Sequence, residues 1–327
     1  MLENGIDAVE IELSSRCNAG CPMCARTDND MILSKQRDIS LEEFKVFFSP
    51  EFISKLKQFK FCGNFGDPMV AKDVVEIHKY ICDNNPNIKL IMSTNGGLRT
   101  KKVWTELAKY YQNPNGSHIQ FHIDGLEDTN HIYRKGVRWD RIMECADAFI
   151  SARGIAVWYF IPFFHNEHQV EEAEQLARDM GFAEFVIKVS ARFDSFDKPF
   201  IGSRGERLYP PTADRFNIRG VQVRGELKCV SEIRKEIYVD SWGRVFPCCW
   251  TATKHDEMNW DIDNSLRVHT IEEVFASEKI NSWINKLYCD QGSVCNKRCT
   301  GEFQHMIDIN GKQTPQKELW YYGDKDA

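Results

Sequence analysis

The stretch RCNAGCPMCAR, residues 16–26, places three cysteines within eight positions. It follows the apolar run AVEIEL at residues 8–13, which predicts a β-strand. Three thiolates at this spacing can bind zinc with a fourth ligand from elsewhere, or hold three irons of an iron–sulfur cluster and leave the fourth iron open. The next histidine, His78, is far along the chain, so the spacing favours the cluster with an open iron.

Composition narrows the class of protein. The chain has 327 residues, of which 42% are hydrophobic and 28% are charged, as in ordinary globular proteins. Its net charge of −6 argues against nucleic-acid binding, and it has neither a signal peptide nor an apolar run of membrane-spanning length. We therefore expect a cytoplasmic protein without nucleic-acid or membrane partners. In that reducing compartment, twelve cysteines point to metal ligands rather than disulfides.

Strand-like and helical patterns alternate through the first two thirds of the chain. Six strands are predicted at residues 8–13, 58–63, 88–94, 118–124, 156–162 and 184–189. Helical patterns separate them, and the first begins at a capping box formed by Ser40 and Glu43. Six βα units imply a parallel sheet, and both a doubly wound sheet and an incomplete barrel fit this order. In either fold, ligands bind at the carboxyl ends of the strands.

Polar, glycine-rich loops follow three of these strands. They are GNFGDP at 63–68, STNGG at 93–97 and DGLEDTNHIYRKG at 124–136. Together with the cysteine loop after the first strand, they would share one edge of a parallel sheet. That shared position favours a functional site over simple turns.

The pattern changes after about residue 225. The segment 236–248 predicts a β-hairpin, and TIEEVFASEKINSWINKLY, residues 270–288, predicts one helix that begins at the capping box of Thr270 and Glu273. Six cysteines fall in this last third, where a small core would be thin without a metal. We expect two domains, residues 1–215 and 225–327.

The cysteine spacing after the first strand, followed by GNFGDP after the second, resembles the radical S-adenosylmethionine (SAM) enzymes over residues 8 to about 200. The resemblance implies an α/β fold, a partial (β/α)6 TIM-like barrel. It implies a 4Fe–4S cluster on Cys17, Cys21 and Cys24, whose fourth iron binds SAM. It also implies reductive cleavage of SAM to a 5′-deoxyadenosyl radical that abstracts a substrate hydrogen atom. An electron donor such as flavodoxin or ferredoxin would be a partner.

The resemblance also assigns the residues that contact SAM. They are Gly63, Asn64, Gly66 and Asp67 for the methionine ammonium, Ser93 and Asn95 for the ribose, Arg134 for the carboxylate and Ile161 for the adenine. The chain departs from the family pattern at three positions. Asp67 replaces the usual glutamate, so the ammonium contact would come mainly from backbone carbonyls. Met23 replaces a common aromatic residue. His122 stands where a serine is common, and is either a ribose or substrate contact or a satisfied histidine of the barrel interior.

The C-terminal cysteines resemble the SPASM/twitch extension, a hairpin and helix that hold auxiliary iron–sulfur clusters. The thiols are too few for two clusters, because Lys286 stands where a further ligand would be. We expect one auxiliary 4Fe–4S cluster held by four residues, Cys229, Cys248, Cys295 and Cys299. Cys289 is the alternative ligand. Four thiolates also suit zinc, which stays an alternative.

Three functions are compatible with these features. The first is oxidation, by dehydrogenation or crosslinking, of a small polar molecule or short peptide with help from the auxiliary cluster. The second is redox-neutral epimerisation, in which Cys249 donates a hydrogen atom to the substrate radical; otherwise Cys249 is a buried thiol of the small domain or a substitute ligand. The third is a zinc-stabilised binding protein without catalysis.

Overall fold

A computed structural model of the chain contains all six predicted strands. It describes residues 5–27, 33–113, 115–190, 192–193, 197–216, 229–252, 264–290, 293–295, 299 and 306–307. The strands are β1 Ala8–Ile11, β2 Gln58–Phe61, β3 Lys89–Thr94, β4 His118–His122, β5 Ala156–Phe160 and β6 Glu184–Lys188. Each pairs in parallel with the next in chain order. Each is one or two residues shorter than predicted; β3 begins one residue late, and the other five end early because the sequence pattern continues into the loop that follows the strand.

Helices follow the strands as predicted. Those of the first two thirds are α1 Leu41–Phe47, α2 Pro50–Lys55, α3 Val74–Asn84, α4 Lys101–Ala108, α5 Asn130–Tyr133, α6 Trp139–Ser151 and α7 Val170–Met180. The capping box at the start of α1 is confirmed. Ser40 Oγ accepts a hydrogen bond from the backbone N–H of Glu43 at 3.3 Å, and the Glu43 carboxylate accepts one from the N–H of Ser40 at 3.1 Å.

The two faces of the sheet differ in polarity. Alternate side chains such as Phe59 and Phe121 are fully buried under the helices, where the Trp104 ring of α4 packs against Phe121 with centroids 5.1 Å apart. The intervening side chains, among them Lys60 and His122, lie on the opposite face, which lines the barrel interior. The apolar core therefore lies outside the sheet, and polar groups are left for the interior.

The C-terminal region extends the same sheet. The predicted hairpin forms from β9 Glu236–Val239 and β10 Val245–Phe246, and β9 pairs in parallel with β1. Among the described residues the strand order is β10-β9-β1-β2-β3-β4-β5-β6-β11, where β11 is Met306–Ile307; β7 Phe200–Ile201 and β8 Arg207–Leu208 form a separate pair. The sheet thus continues across the boundary predicted between residues 215 and 225. The division into two domains stays a prediction.

The prediction of a single helix over residues 270–288 is wrong, because the structure has two helices there. Ser277 adopts an extended backbone with ψ near 126° and separates α10 Ile271–Ala276 from α11 Glu278–Cys289. The break lets both short helices bury their apolar residues, among them Val274 and Ile280. The short helices α8 Val230–Ile233 and α9 Cys249–Ala252 flank the hairpin. No helix within the described ranges has both the length and the apolar composition needed to cross a bilayer.

Candidate functional site

The three clustered cysteines lie at the carboxyl edge of the sheet, after β1. Cys21 is buried, and Cys17 and Cys24 are partly buried. Each thiol contacts a different loop through one partner: Asn95 Nδ2 at 3.7 Å from Cys17 Sγ, Arg134 Nη1 at 3.8 Å from Cys21 Sγ, and the Asn64 carbonyl at 3.9 Å from Cys24 Sγ. The structure therefore brings the cysteine motif together with the loops that follow β2, β3 and β4, as the sequence predicted.

These cysteines suit an iron–sulfur cluster chemically. Burial raises the pKa of Cys17 to about 12 and also raises the pKa of Cys21, so both thiols are protonated at neutral pH when no metal is bound. Iron binding would displace those protons. Within the described residues, no three Cys, His, Asp or Glu side chains meet at a point suited to a single metal ion. A cluster does not require such convergence, since each thiolate binds a different iron.

A buried carboxylate holds the loop after β2. Glu12 accepts hydrogen bonds from the backbone N–H groups of Phe65 at 2.6 Å and Gly66 at 2.9 Å, and burial raises its pKa to about 8. The loop is also tightly packed. A Cβ atom on Gly66 would lie 1.7 Å from the Ser14 carbonyl oxygen, and one on Gly63 would lie 1.9 Å from the Gly66 carbonyl oxygen. Both glycines are needed because backbone approaches them closely.

The side chain of Asp67 is hydrogen-bonded to other residues of the protein. Its buried carboxylate accepts hydrogen bonds from Met69 N at 3.0 Å, Thr94 Oγ1 at 3.0 Å and Asn95 N at 2.8 Å. It thereby ties the loop after β2 to the loop after β3. With these three donors on Asp67, the geometry agrees with an ammonium contact made mainly by the backbone of residues 63–66, which remains a prediction.

The predicted ribose contacts separate into two environments. Asn95 lies beside the cysteine loop, where its Nδ2 also donates to Asn18 Oδ1 at 2.8 Å. Ser93 faces the barrel interior and donates to Gln120 Oε1 at 2.7 Å. The structure thus places Asn95, but not Ser93, in direct contact with the cysteine motif.

Arg134 and Ile161 are brought together by Asp124, a residue that the sequence did not single out. Arg134 Nε donates to Asp124 Oδ2 at 2.6 Å, and the backbone N–H of Ile161 donates to Asp124 Oδ1 at 2.7 Å. Asp124 is fully buried, and the Arg134 guanidinium compensates the charge of its carboxylate inside the protein. The signal that could have identified it is an aspartate directly after an apolar strand.

His122 lies in the barrel interior near several cations. Burial lowers its pKa well below the usual range, and the charges of Arg134 and Lys188 lower it further, so the imidazole is neutral. Its ring packs against Tyr159 with centroids 5.2 Å apart. Both of its predicted roles, as a contact to ligand and as an interior histidine, are compatible with this place.

The four cysteines predicted as auxiliary ligands lie close enough for their charges to interact. Burial raises the pKa of Cys248 and Cys295 to about 12, and negative charge on Cys229 raises both further. The pKa of Cys299 is raised by the same two causes, and its N–H donates to the Cys295 carbonyl at 2.7 Å. Cys289, the alternative ligand, is exposed at the end of α11.

Cys249 lies between the two cysteine sets. It begins α9 directly after Cys248, and its side chain packs beside Cys62 and Tyr238. Burial raises its pKa well above the usual range, and the Glu10 carboxylate on the interior face raises it further. The thiol therefore lies where the inward face of β2 meets the C-terminal hairpin, in a buried cluster that also holds Phe246 and Ala252. Its carbonyl accepts a hydrogen bond from Asn64 Nδ2 at 2.8 Å, which links it to the loop that contacts Cys24.

Comparison with known proteins decides the family. Residues 11–180 match the family model described as the Radical SAM superfamily, which is more than half of the chain. The chain belongs to the radical SAM superfamily. Membership confirms the predicted partial barrel and implies SAM and a 4Fe–4S cluster as cofactors.

Individual relatives are distant. A GTP 3′,8-cyclase from Aliarcobacter butzleri (strain RM4018) is 21% identical over 298 residues, covering 82% of this chain and 86% of the relative. A GTP 3′,8-cyclase from Campylobacter curvus (strain 525.92) is 31% identical over 91 residues, so the match spans only 28% of either protein.

Solved structures share the fold of this radical SAM protein. Streptococcus suis SuiB bound to S-adenosylmethionine superimposes with a TM-score of 0.64 at 15% identity, covering 91% of this chain and 73% of SuiB. SuiB bound to its precursor peptide SuiA gives a TM-score of 0.60 at 14% identity, covering 85% and 66%. At these identities the likeness shows the fold alone.

Sequence reasoning missed a charged network inside the barrel of this radical SAM protein. Lys60 Nζ donates to Glu10 Oε1 at 3.1 Å, and Cys62 Sγ donates to the same oxygen at 2.6 Å. Lys188, at the end of β6, lies on the same interior face. The available signal was a charged residue at alternate positions of otherwise apolar strands, which marks the inward face of a barrel.

Replacing Gly66 with alanine tests the close packing of the loop after β2. Because its Cβ would lie 1.7 Å from a backbone oxygen, we expect Gly66→Ala to lower the free energy of unfolding by about 2 kcal/mol or more. Gly20→Ala is the matched control, since its Cβ meets nothing within 4 Å, and it should change stability by less than about 1 kcal/mol. Urea unfolding of the cluster-free protein measures both, and equal effects would contradict the packing.

Replacing Glu12 with glutamine tests the buried carboxylate. The folded protein holds this proton up to a pKa of about 8, whereas the unfolded chain releases it near 4.5. The free energy of unfolding should therefore fall as pH rises from 5 to 8, by on the order of 3 kcal/mol relative to Glu12→Gln, which cannot ionise but still accepts both amide bonds. Urea unfolding across this range measures the difference. Glu42→Gln, on the exposed face of α1, should reproduce the wild-type slope. Parallel slopes for wild type and Glu12→Gln would contradict the assignment.

Proposed function

We propose that this radical SAM enzyme oxidises a small polar molecule or a short peptide with the help of one auxiliary 4Fe–4S cluster. The observation that supports the proposal is a link between the cysteine motif and the residue that directly follows Cys248. Asn64 forms this link: its carbonyl lies 3.9 Å from Cys24 Sγ, and its Nδ2 donates to the Cys249 carbonyl at 2.8 Å. A substrate in the interior would lie between the two sets.

The chain's own residues have defined tasks in this proposal. When bound to the reduced cluster, SAM supplies a 5′-deoxyadenosyl radical that removes a hydrogen atom from an unactivated carbon. Arg134 would pair with the SAM carboxylate, since Asp124 fixes its guanidinium beside Cys21 and Arg forks suit planar anions. The backbone of residues 63–66 would accept the methionine ammonium. Asn95 would contact the ribose, and Ile161 would pack on the adenine.

The second cysteine set would hold the auxiliary cluster, which would supply an acceptor for the electron that oxidation of the substrate radical releases. We assign its ligands as Cys229, Cys248, Cys295 and Cys299, within a C-terminal unit of residues 225–327 that follows the barrel of residues 1–215. Exposed Cys289 is a weaker candidate. A cytoplasmic electron donor such as flavodoxin or ferredoxin would reduce the first cluster.

Two substrate classes remain open. The peptide bound by SuiB supports a short peptide, because SuiB shares this fold. The nucleotide named for the curated relatives supports a small polar molecule. The charged groups on the interior face suit polar substrates of either class.

The place of Cys249 supports a second candidate function, redox-neutral epimerisation. Its thiol packs against a cluster that joins Cys62 of the barrel to Phe246 and Ala252 of the C-terminal region, and the Glu10–Lys60 pair acts on it electrostatically. From there it would donate a hydrogen atom to a substrate radical. Burial and nearby negative charge keep it as the thiol, which is the form that carries this hydrogen.

Iron content tests the assignment of two clusters. Anaerobic reconstitution should give about eight irons per chain, with dithionite-dependent formation of 5′-deoxyadenosine. Replacing Cys17, Cys21 and Cys24 by alanine should halve the iron and abolish cleavage. Replacing Cys229, Cys248, Cys295 and Cys299 should also halve the iron but retain cleavage, because the SAM-binding cluster remains. Cys82→Ala, on α3, is the control and should leave both unchanged. Zinc in place of iron would favour the non-catalytic alternative and sink the proposal.

Isotope incorporation separates the two reactions. Wild-type enzyme is incubated in D2O with mixtures of short peptides and small polar metabolites, and products are detected by mass spectrometry. Oxidation should give products that lack two hydrogens, in wild type and in Cys249→Ala alike. Epimerisation should give products that gain one deuterium from the exchanged thiol, and this gain should disappear in Cys249→Ala. Loss of the dehydrogenated product in Cys249→Ala would contradict the first function.

A further inference from the structure

The wall of the barrel interior that β5 and β6 form has a cation, Lys188, at its carboxyl end. Val157, Tyr159 and Val186 on β5 and β6 form a small apolar cluster separate from the main core. Lys188 is two residues beyond Val186, so it lies on the same face of β6 and closer to the carboxyl edge. His122, which packs on Tyr159, borders this wall from β4. The wall therefore offers an apolar surface with polar groups at its outer end.

Two other cations at the interior, Lys60 and Arg134, are neutralised by acids. Lys60 Nζ lies 3.1 Å from Glu10 Oε1, and Arg134 Nε lies 2.6 Å from Asp124 Oδ2. The Lys188 side chain, by contrast, makes no hydrogen bond or ion pair with any residue that the structure describes.

Arg192 is a second cation without an acidic partner in the described parts of the chain. Its Nη1 donates to the Met23 carbonyl at 2.6 Å, which is a neutral acceptor. Its charge acts on both Lys188 and His122, so the three groups are near one another. The outer end of the wall thus carries positive charge that the described residues do not balance.

A buried ammonium that has no acidic partner among the described residues is costly. Burial and, after it, the like charges of Lys60 and Arg192 together lower the pKa of Lys188 to about 8. A bound anion would offset that cost, since it would supply the missing opposite charge in a site of low polarity. The neutral His122 would add a hydrogen-bond donor.

We propose that Lys188, with Arg192 and His122, binds an oxyanion of the substrate, either a carboxylate or a phosphate. The inference rests on the proposed function, because it places this group in the interior where the substrate would react. The SAM carboxylate is not the intended ligand, since Arg134 and its Asp124 partner already stand beside Cys21 to receive it. Lys188 instead lies within electrostatic reach of Cys249, on the auxiliary side. Substrates without an anionic group would leave this charge unbalanced and be disfavoured.

The test is anion binding by the reconstituted enzyme loaded with SAM. Sodium pyrophosphate, sodium phosphate and sodium succinate are titrated anaerobically at constant ionic strength by isothermal calorimetry. At least one should bind saturably, and Lys188→Met should weaken that binding by tenfold or more. Lys188→Arg keeps the charge and should stay within about threefold of wild type. Lys102→Met, on the exposed face of α4, should have no effect.

The outcomes separate the possibilities. Tighter binding of pyrophosphate or phosphate would identify a phosphorylated substrate, and tighter binding of succinate would identify a carboxylate. Equal affinity in wild type and Lys188→Met, or no saturable binding up to about 10 mM, would overturn the inference. Iron content is measured on every variant and should match wild type, and SAM cleavage is measured on the wild-type protein. A wild-type protein without clusters or cleavage would instead overturn the proposed function, while the anion titration would still report on Lys188.

Discussion

Buried carboxylates that accept hydrogen bonds from backbone N–H groups hold this site together. The loops at the carboxyl edge of a parallel sheet leave the strand ladder, so their amides need other partners. Glu12 supplies them for the loop after β2, Asp67 joins that loop to the one after β3, and Asp124 joins the loops after β4 and β5. Glu12 and Asp124 lie just after β1 and β4, where the sheet fixes their positions, whereas Asp67 lies within the loop after β2. The cysteine motif is therefore surrounded by loops with little freedom to move apart.

The order of strands could be predicted from the sequence because the signals are local. Alternating apolar residues, a capping box at Ser40 and a cysteine motif after β1 each depend on a few neighbouring positions. The same locality explains the misplaced helix. The apolar spacing continues through residue 277, and only the packing of two short helices against the rest of the chain favours a break there.

The polar interior could not be predicted in the same way. Glu12, Asp124 and Lys188 are ordinary residues in their own segments, and their importance arises from partners far along the chain. Asp67 shows the converse. Its position in the loop was predicted, but two of the donors that occupy its carboxylate come from the next strand and its loop, which no local pattern of the sequence could predict.

The pairing of β9 with β1 has a consequence for how the protein is made. Ala8 pairs with Glu236, which is 228 positions later in the chain, so one edge of the first strand has no partner until that segment has left the ribosome. Synthesis of such a length takes many seconds, and contacts of this separation form slowly. During that time the exposed edge, rich in valine and isoleucine, is a template for pairing with other nascent chains. The strand that introduces the cysteine motif is thus complete only late in biosynthesis, and its protection in the cell would fall to chaperones.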